Sequence, residues 1–331
     1  MNNKMKIEYK ISNEKSVLEI CKDKLNISSR LFTKLKNEHI YLNNNLLTTY
    51  TPLKEGDILT IDMGYPETQD NVVPNSDIHF DILYEDEWLL IVNKPAHMPV
   101  HPTMRHYEDT LSNGVKAYFE SINLNKKVRL VNRLDKDTSG IVIVAKCEYI
   151  QEQLVKQMQN NIFEKEYIAL VNGILPINNE LKTINVPIKR KADSIIERIV
   201  SDDGDKAITK YKVIKNFNQE NYSLVKIKLE TGRTHQIRVH FSSLGYPILG
   251  DSLYGNASKL INRQALHAYK VSFLHPIEKK NMRIISKMPK DIKTLLWKQS
   301  FLFIYLSTNF RKFRCLYCKI FCSYKFSNSF F

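Results

Sequence analysis

The feature of this sequence that most constrains its fold is a series of strand patterns between residues 139 and 230. The segments "IVIVAK" and "EKEYIALVNG" indicate strands, and "KAITKYKVI" and "YSLVKIKLE" alternate between apolar and polar residues, as strands with one polar face do. One segment among them, "YIQEQLVKQMQN", has the spacing of an amphipathic helix. Strands that follow one another without regular helical crossovers predict an α+β fold with a mixed, largely antiparallel sheet and a few helices.

Residues 1–63 are predicted to form a small α/β module. Ser28 is the predicted N-cap of a short helix that has Leu31 and Leu35 one turn apart, and short strands separated by "NNN" and "EGD" turns follow. In a basic protein such a helix could lie along a phosphate backbone, or its charged face could simply be solvated. The candidate RNA-binding residues of this helix are Arg30, Lys34 and Lys36.

The rest of the chain divides into a linker, a large domain and a tail. Residues 64–78 are polar and contain two prolines, which is typical of a linker. We expect the large domain at 79–297 and a basic, aromatic, poorly ordered tail at 298–331. The tail contains Cys315, Cys318 and Cys322, but no nearby Cys or His supplies a fourth ligand, so we predict no metal site there.

The net charge of the chain indicates a polyanionic partner. The chain has 49 Lys and Arg against 35 Asp and Glu, a net charge of +14, which favours nucleic acid first and an anionic membrane surface second. No stretch approaches the roughly 20 apolar residues that span a bilayer, and the start lacks the apolar core of a signal peptide. We therefore expect a cytoplasmic protein without a membrane segment, and its five cysteines fit a reducing compartment.

Several kinds of site are not supported by the motifs. No G-x-G-x-x-G occurs, "GDSLYGN" lacks the Lys of a P-loop, and there is no G-x-S-x-G elbow. His235 and His240 are five residues apart, about 140° around a helix, so they do not form a zinc pair on one face. The motifs are therefore compatible with chemistry carried by carboxylate and arginine side chains, without a metal or a nucleotide cofactor.

Two stretches carry candidates for that chemistry. In "RLVNRLDKDTSGIVIVAK", Asp135 lies between Arg133 and Lys136 in a turn that enters a buried strand, although an Asp there could equally cap a surface turn. In "LETGRTHQIRVHFSSLGYPILGDSLYG", Thr234 is the predicted cap of a helix. Arg233 then lies at a strand-to-helix junction, from which it could pair with a carboxylate of another loop and keep it ionised.

Both stretches resemble signature motifs of the RluA/RluC/RluD family of RNA pseudouridine synthases. The family's G-R-T-H-Q-I-R-V-H is present at residues 232–240. The resemblance runs from about residue 82 to about 289, with Asn132 and His97 in place of a common His and Gly. The N-terminal module resembles the small RNA-binding domain shared with a ribosomal small-subunit protein. The residues that meet the family's R-L-D-x-x-T-S-G are Arg133, Leu134, Asp135, Thr138, Ser139 and Gly140.

The resemblance implies a pseudouridine synthase fold and a role for each matching residue. Asp135 would be the catalytic aspartate, Arg233 its ion-pair partner, and Arg133 the residue that enters the RNA stack where the target base leaves. Tyr167 would be the aromatic against the flipped uracil, although alternation alone is equally compatible with a core tyrosine. The reaction breaks the bond from ribose to the ring nitrogen, turns the uracil and rejoins it through carbon five, and it consumes no cofactor. Asp135 would act as nucleophile or as base.

We therefore predict a monomeric RNA pseudouridine synthase that modifies large-subunit ribosomal RNA. A synthase acting on transfer RNA would keep the same chemistry and change the substrate. A non-catalytic RNA-binding or ribosome-assembly protein would use the same surface, but it would not require Asp135, Arg233 and Tyr167 together.

Overall fold

The N-terminal segment folds as a small sheet beside a basic helix. The computed structural model describes residues 5–48, 51–67, 71–177 and 180–297. The strands form an antiparallel sheet in the order β1-β4-β2-β3. Ser28 caps α2 as predicted, its Oγ accepting the Leu31 N–H at 3.1 Å. The elements are β1 (Lys6–Lys10), α1 (Val17–Glu19), a π-helical segment (Ile20–Lys24), α2 (Ser29–Leu35), β2 (Ile40–Leu42), β3 (Asn45–Leu46) and β4 (Ile58–Asp62).

A ten-stranded mixed sheet forms the larger part of the molecule. Its main path runs β10-β13-β14-β9-β15-β8-β6-β5, with β16 on β15 and β7 on β8, and β11 and β12 form a separate hairpin. The pairing of β15 with β8 is parallel and the others are antiparallel. The predicted α+β class is confirmed. The elements are β5 (Asp81–Glu85), β6 (Leu89–Lys94), α3 (Leu111–Ser121), β7 (Arg129–Leu130), β8 (Ser139–Ala145), α4 (Glu148–Gln159), β9 (Glu164–Asn172), β10 (Lys182–Asn185), β11 (Ile188–Arg190), β12 (Arg198–Val200), β13 (Ile208–Phe217), β14 (Tyr222–Leu229), α5 (Gln236–Ser243), β15 (Leu266–Leu274) and β16 (Asn281–Ile285).

The parallel contact between β8 and β15 fixes the start of β8. Gly140 pairs with Ala268 and has a φ of 115°, a conformation that only glycine adopts readily. A Cβ at this position would lie 2.2 Å from the Ala268 carbonyl oxygen. The "TSG" sequence therefore allows the two backbones to meet, which anchors the turn that precedes β8.

Helix α4 joins the N-terminal module to the large sheet. The Ser28 hydroxyl donates to Glu152 at 2.7 Å, and the Tyr149 hydroxyl donates to the Leu25 carbonyl at 3.0 Å. Buried side chains of the module, of α4 and of the large sheet belong to one apolar core, which includes Ile20, Leu31, Leu35, Leu59, Tyr149, Ile150, Leu154, Ile141 and Ile143. The predicted module is therefore packed firmly against the larger domain.

The described parts of the predicted linker, residues 64–67 and 71–78, contain no helix or strand. Lys126 is buried, and its Nζ donates to the carbonyls of Met63 at 2.6 Å and Tyr65 at 2.7 Å. This ammonium group thereby holds the start of the segment against the larger domain. The domain boundaries at 63 and 78 stay predictions.

The chain divides into two compact units at Pro289. Of the second unit, residues 290–297 are described and are helical, while the predicted tail at 298–331 lies outside the described residues. Within the residues that the structure covers, no helix has the length and apolar character needed to cross a membrane.

Candidate active site

A cleft of about 1200 Å³ brings the two predicted motifs together. Its walls come from the loop after β6, the turn before β8, one face of β9 and the segment between β14 and α5. The basic residues predicted on α2 do not line it. The predicted site residues that line the cleft are Arg133, Asp135, Tyr167 and Arg233.

The turn that carries Asp135 is held from below by a buried lysine. Lys94, at the end of β6, is fully buried, and its Nζ donates to the carbonyls of Pro95 at 2.7 Å, Met98 at 2.8 Å and Lys136 at 3.0 Å. Because a buried ammonium group needs such acceptors, the loop after β6 and the Asp135 turn are fixed to each other.

The two departures from the family's motif both have a structural role here. His97 has a φ of 62°, the left-handed region where glycine is most at ease, and its Nδ1 is 2.8 Å from Oδ1 of Asp137. Asn132 bonds to β8 in both directions, donating to the Ile141 carbonyl at 3.0 Å and accepting the Ile143 N–H at 2.9 Å. Both side chains therefore brace the Asp135 turn.

Arg238, and not Arg233, is the ion-pair partner of Asp135. Nη1 of Arg238 donates to Oδ2 of Asp135 at 3.0 Å. Its Nε and Nη2 donate to Asp251 at 2.6 and 2.8 Å, and Asp251 is fully buried. Burial alone would lower the pKa of Arg238, but the hydrogen bonds and charges of Asp251 and Asp135 raise it above its ordinary value. A permanently charged guanidinium thus joins a buried carboxylate to the carboxylate in the cleft.

Arg233 lies at the exposed rim, so its predicted pairing with Asp135 is wrong. Its Nε donates to the Lys206 carbonyl at 3.1 Å, and its Nη1 is 3.6 Å from Oδ2 of Asp205. The Gln236 side chain accepts the Arg233 N–H at 3.0 Å, which fixes this residue in the loop before α5.

The start of α5 also differs from the prediction. The helix begins at Gln236 and its N-cap is His235, whereas Thr234 was the predicted cap. The N-cap has a φ of 56°, so the chain makes a left-handed turn immediately before the helix. Arg238 lies in the first turn of α5, where it is buried, and Arg233 lies in the loop before the helix.

Tyr167 and Lys165 lie two residues apart on β9 and both line the cleft, as residues on one face of a strand do. Tyr167 is 7 % exposed. Burial raises its pKa, and the charge of Asp135 adds to this effect. Burial lowers the pKa of Lys165, and within the described residues its ammonium group has no ion pair or hydrogen bond. Arg133 is exposed, and its Nη2 is 3.4 Å from the Thr234 hydroxyl.

Two of the three predicted RNA-binding residues of α2 lie beside α4. Lys34 and Arg30 both pair with Glu148, Lys34 closely and Arg30 at 3.9 Å. The Arg30 side chain is 82 % exposed, and Lys36 at the C-cap of the helix is exposed as well. One of the three predicted cations is therefore largely used in docking the module.

One group of potential metal ligands occurs among the described residues, outside the cleft. Asp86, His275 and Glu278 bring ligand atoms within 4.8 Å of one another. His275 is already engaged at both ring nitrogens: Nε2 is 2.9 Å from Asp86, and Nδ1 accepts the backbone N–H groups of Ile277 and Glu278 at 3.3 and 3.0 Å. Neither nitrogen is free to bind a metal in this arrangement.

Comparison with known proteins identifies the family. Residues 88–243 match the family model described as RNA pseudouridylate synthase. RNA pseudouridine synthase YjbO of Bacillus subtilis (strain 168) is 39% identical over 275 residues, which cover 82% of this chain and 95% of that relative. The chain belongs to the RNA pseudouridine synthases. Members of this family are isomerases that convert uridine to pseudouridine in RNA.

A second curated relative and a solved structure agree with this assignment. Ribosomal large subunit pseudouridine synthase D of Xylella fastidiosa (strain Temecula1) is 35% identical over 282 residues, which cover 81% of this synthase and 83% of that relative. Human RNA pseudouridylate synthase domain containing 1 superposes with a TM-score of 0.52 at 26% identity, covering 65% of this chain and 85% of that one. The predicted RluA/RluC/RluD family and its fold are confirmed.

Sequence reasoning missed the side chains that support the Asp135 carboxylate. The signal for Arg238 was its position between Ile237 and Val239 in a helix with an apolar side, because an arginine within an apolar run is buried only when it is paired. Its second partner, Asp251, follows a turn glycine in "GDSLYGN" and carries no comparable signal. Asp135 lines the cleft as the motif predicted, whereas its ion-pair partner is Arg238 and not the predicted Arg233.

Proposed function

We propose that this synthase isomerises uridines of large-subunit ribosomal RNA, with Asp135 as its catalytic carboxylate. Several relatives at 34–35% identity carry the name ribosomal large subunit pseudouridine synthase D. The net charge of +14 suits a polyanionic substrate. We further propose that it acts as a monomer in the cytoplasm. The observation that carries the proposal is the Asp135 carboxylate, open to the cleft on one side and bonded to Arg238 on the other.

The two oxygens of Asp135 have different surroundings. Oδ2 accepts the hydrogen bond from Arg238 at 3.0 Å, whereas Oδ1 has no partner within the described residues. Oδ1 is therefore left available to the substrate. From this position Asp135 either attacks the sugar as a nucleophile or removes a proton from it.

The target uridine must leave the RNA stack to reach Asp135. Flipping a base costs on the order of a few kcal/mol, and a side chain that fills the gap and an aromatic ring that stacks on the base offset this cost. We assign the first role to Arg133 at the exposed rim and the second to Tyr167 in the cleft wall. Arg233, also at the rim, would contact the RNA backbone and not Asp135.

The N-terminal module would extend the RNA-binding surface beyond the cleft. Its resemblance to a small RNA-binding domain and the exposure of Arg30 and Lys36 support this role. Lys34 would contribute less, because its ammonium group is paired with Glu148. Such backbone contacts should weaken with added salt, by up to about 0.9 in log–log slope for each phosphate contact.

Tritium release tests the proposed function directly. Large-subunit ribosomal RNA and transfer RNA, both labelled at uracil carbon five, are incubated with the wild type and with Asp135→Asn. We expect release from ribosomal RNA by the wild type alone, because an amide cannot supply the carboxylate chemistry. Asp135→Asn should still bind the RNA. Release from transfer RNA only would replace the substrate assignment, and substantial turnover by Asp135→Asn would refute the role of this residue.

A further inference from the structure

His235 lies beside Asp135 in an unfavourable backbone conformation. Its φ of 56° lies in the left-handed region, which is unfavourable for a residue with a Cβ. Residues keep such conformations where the surrounding structure fixes them, often at functional sites. The His235 side chain is 12 % exposed, and its Nε2 is 3.8 Å from Oδ2 of Asp135. The chain therefore keeps an imidazole next to the cleft carboxylate at a position that glycine would occupy more easily.

The Tyr254 hydroxyl is the hydrogen-bond partner of Nδ1 of His235. This hydroxyl accepts the backbone N–H of Arg198 at 2.8 Å and lies 2.9 Å from Nδ1 of His235. Within the described residues, Nδ1 is the acceptor available to the single hydroxyl proton of Tyr254. If the hydroxyl donates to Nδ1, the neutral imidazole carries its own proton on Nε2. The ring thus directs an N–H donor towards Asp135.

The neutral form of this ring follows from its surroundings. Burial lowers the pKa of His235, although the charge of Asp135 opposes this effect. Arg238 and Arg198 are cations that face His235 and also disfavour a second proton, while Asp251 favours it. A neutral ring in which Nδ1 accepts a hydrogen bond is the state that fits these contacts.

Tyr254 supports both groups that approach Oδ2 of Asp135. Its ring meets that of His235 edge-on, with centroids 5.6 Å apart, and the guanidinium of Arg238 lies 5.0 Å from its ring centroid. Its backbone N–H donates to Asp251 at 3.2 Å. One side chain therefore holds the imidazole and the guanidinium in fixed positions relative to each other.

We propose that His235 is a positioning residue for Asp135, and that the Tyr254 hydroxyl keeps the imidazole in its Nε2–H form. The Nε2–H group and Arg238 together hold the Oδ2 side of the carboxylate, so that Oδ1 is presented to the sugar. At 3.8 Å the contact is longer than a hydrogen bond, and it shortens when substrate binds, as catalytic hydrogen bonds commonly do. This inference rests on the proposed role of Asp135 as the catalytic carboxylate.

Two substitutions of His235 separate positioning from a structural role. The amide nitrogen of Gln can replace Nε2, whereas Asn reaches only the position of Nδ1. Asn tolerates a left-handed backbone better than Gln does. We therefore expect His235→Asn to be the more stable variant and to lose about 10- to 100-fold in single-turnover rate, because small misplacements of a reacting group are costly. His235→Gln should be less stable and yet faster.

A spectroscopic measurement on the full chain tests the proton assignment. Nitrogen NMR of histidine-labelled enzyme, with the His235 signals assigned by their loss in His235→Gln, should show the Nε2–H form in the wild type. In Tyr254→Phe, which keeps the ring but removes the hydroxyl, we expect a mixture of both forms and a lower single-turnover rate. An Nδ1–H form in the wild type, or His235→Asn as fast as His235→Gln, would overturn the proposal.

The Asp135→Asn variant distinguishes this inference from the proposed function. If Asp135→Asn turns over RNA, the proposed function fails, and the role of His235 fails with it. If Asp135→Asn is inactive while both His235 variants react at the wild-type rate, the proposed function stands and His235 has no positioning role.

Discussion

The cleft and the docking face between α2 and α4 both pair carboxylates with cations, but they use these pairs differently. In the cleft, Asp135 meets Arg238, whose side chain is 8 % exposed and which is anchored by the fully buried Asp251. At the docking face, Glu148 forms an ion pair with Lys34, whose side chain is 45 % exposed. The cleft therefore uses a buried cation to organise a carboxylate and leaves other cations available, whereas the docking face pairs exposed cations beside an apolar core that already joins the two parts.

This difference has an energetic consequence. Breaking a buried ion pair by removing one partner costs several kcal/mol because a buried charge is left uncompensated, while an exposed pair contributes at most about 1 kcal/mol. The docking face has an alternative source of stability, because its apolar residues share one core with the large sheet. The ion pairs of the cleft should thus be essential for folding and catalysis, and those of the docking face nearly dispensable.

The largest expected effect on stability comes from Asp251→Asn. This change removes the buried counter-charge of Arg238, so we expect the free energy of unfolding to fall by about 3–5 kcal/mol, measured by denaturant unfolding. The matched control is Asp205→Asn, which removes the exposed partner of Arg233 and should cost less than about 1 kcal/mol. Equal losses in the two variants would mean that burial does not distinguish the two pairs.

Lys165→Met tests whether a lysine that lines the cleft binds the RNA. The ammonium group of Lys165 has no partner within the described residues and lines the cleft, so a phosphate of the RNA is its expected partner. We expect roughly tenfold weaker RNA binding at low salt and a salt slope reduced by about 0.7–0.9. The control is Lys226→Met, since Lys226 pairs with Glu166 and lies outside the cleft lining. An unchanged salt slope in Lys165→Met would exclude the phosphate contact.

The smallest expected effect belongs to Glu148→Gln at the docking face. Lys34 and Arg30 lose their carboxylate partner, and thermal unfolding should report a loss of less than about 1 kcal/mol. Binding of RNA should be equal or slightly tighter, because two cations are released. A loss of several kcal/mol would show that the module is held by this ion pair and not by the shared apolar core.

The sequence predicted the parts of this molecule that depend on local patterns. Alternating apolar residues predicted β13 and β14, the helical spacing predicted α4, and Ser28 was the predicted cap of α2. The choice between Arg233 and Arg238 depended on tertiary contacts: the Gln236 side chain holds the Arg233 backbone in the loop before α5, and Arg238 bonds to Asp135 and Asp251. Arg238 is buried because it bonds to Asp251, which lies 13 positions along the chain, and no local pattern predicts that contact.

The pairing of Glu148 with α2 was also outside the reach of sequence patterns, because it joins residues more than 100 positions apart. A basic helix in a basic protein favours a nucleic-acid contact, and only the packing of α4 against the module shows that Lys34 has another partner. Long-range docking of this kind depends on the apolar core that both parts share.

The most direct test of this account compares Arg238→Lys with Arg233→Lys on the same RNA. Both changes conserve charge, but a lysine cannot bond Asp135 and Asp251 together as the Arg238 guanidinium does. We expect the single-turnover rate of Arg238→Lys to fall by about 100-fold or more with RNA affinity retained, and that of Arg233→Lys to stay within about threefold of the wild type, as expected for an exposed cation. A large loss of rate in Arg233→Lys with a normal rate in Arg238→Lys would contradict the assignment of Arg238 as the partner of Asp135.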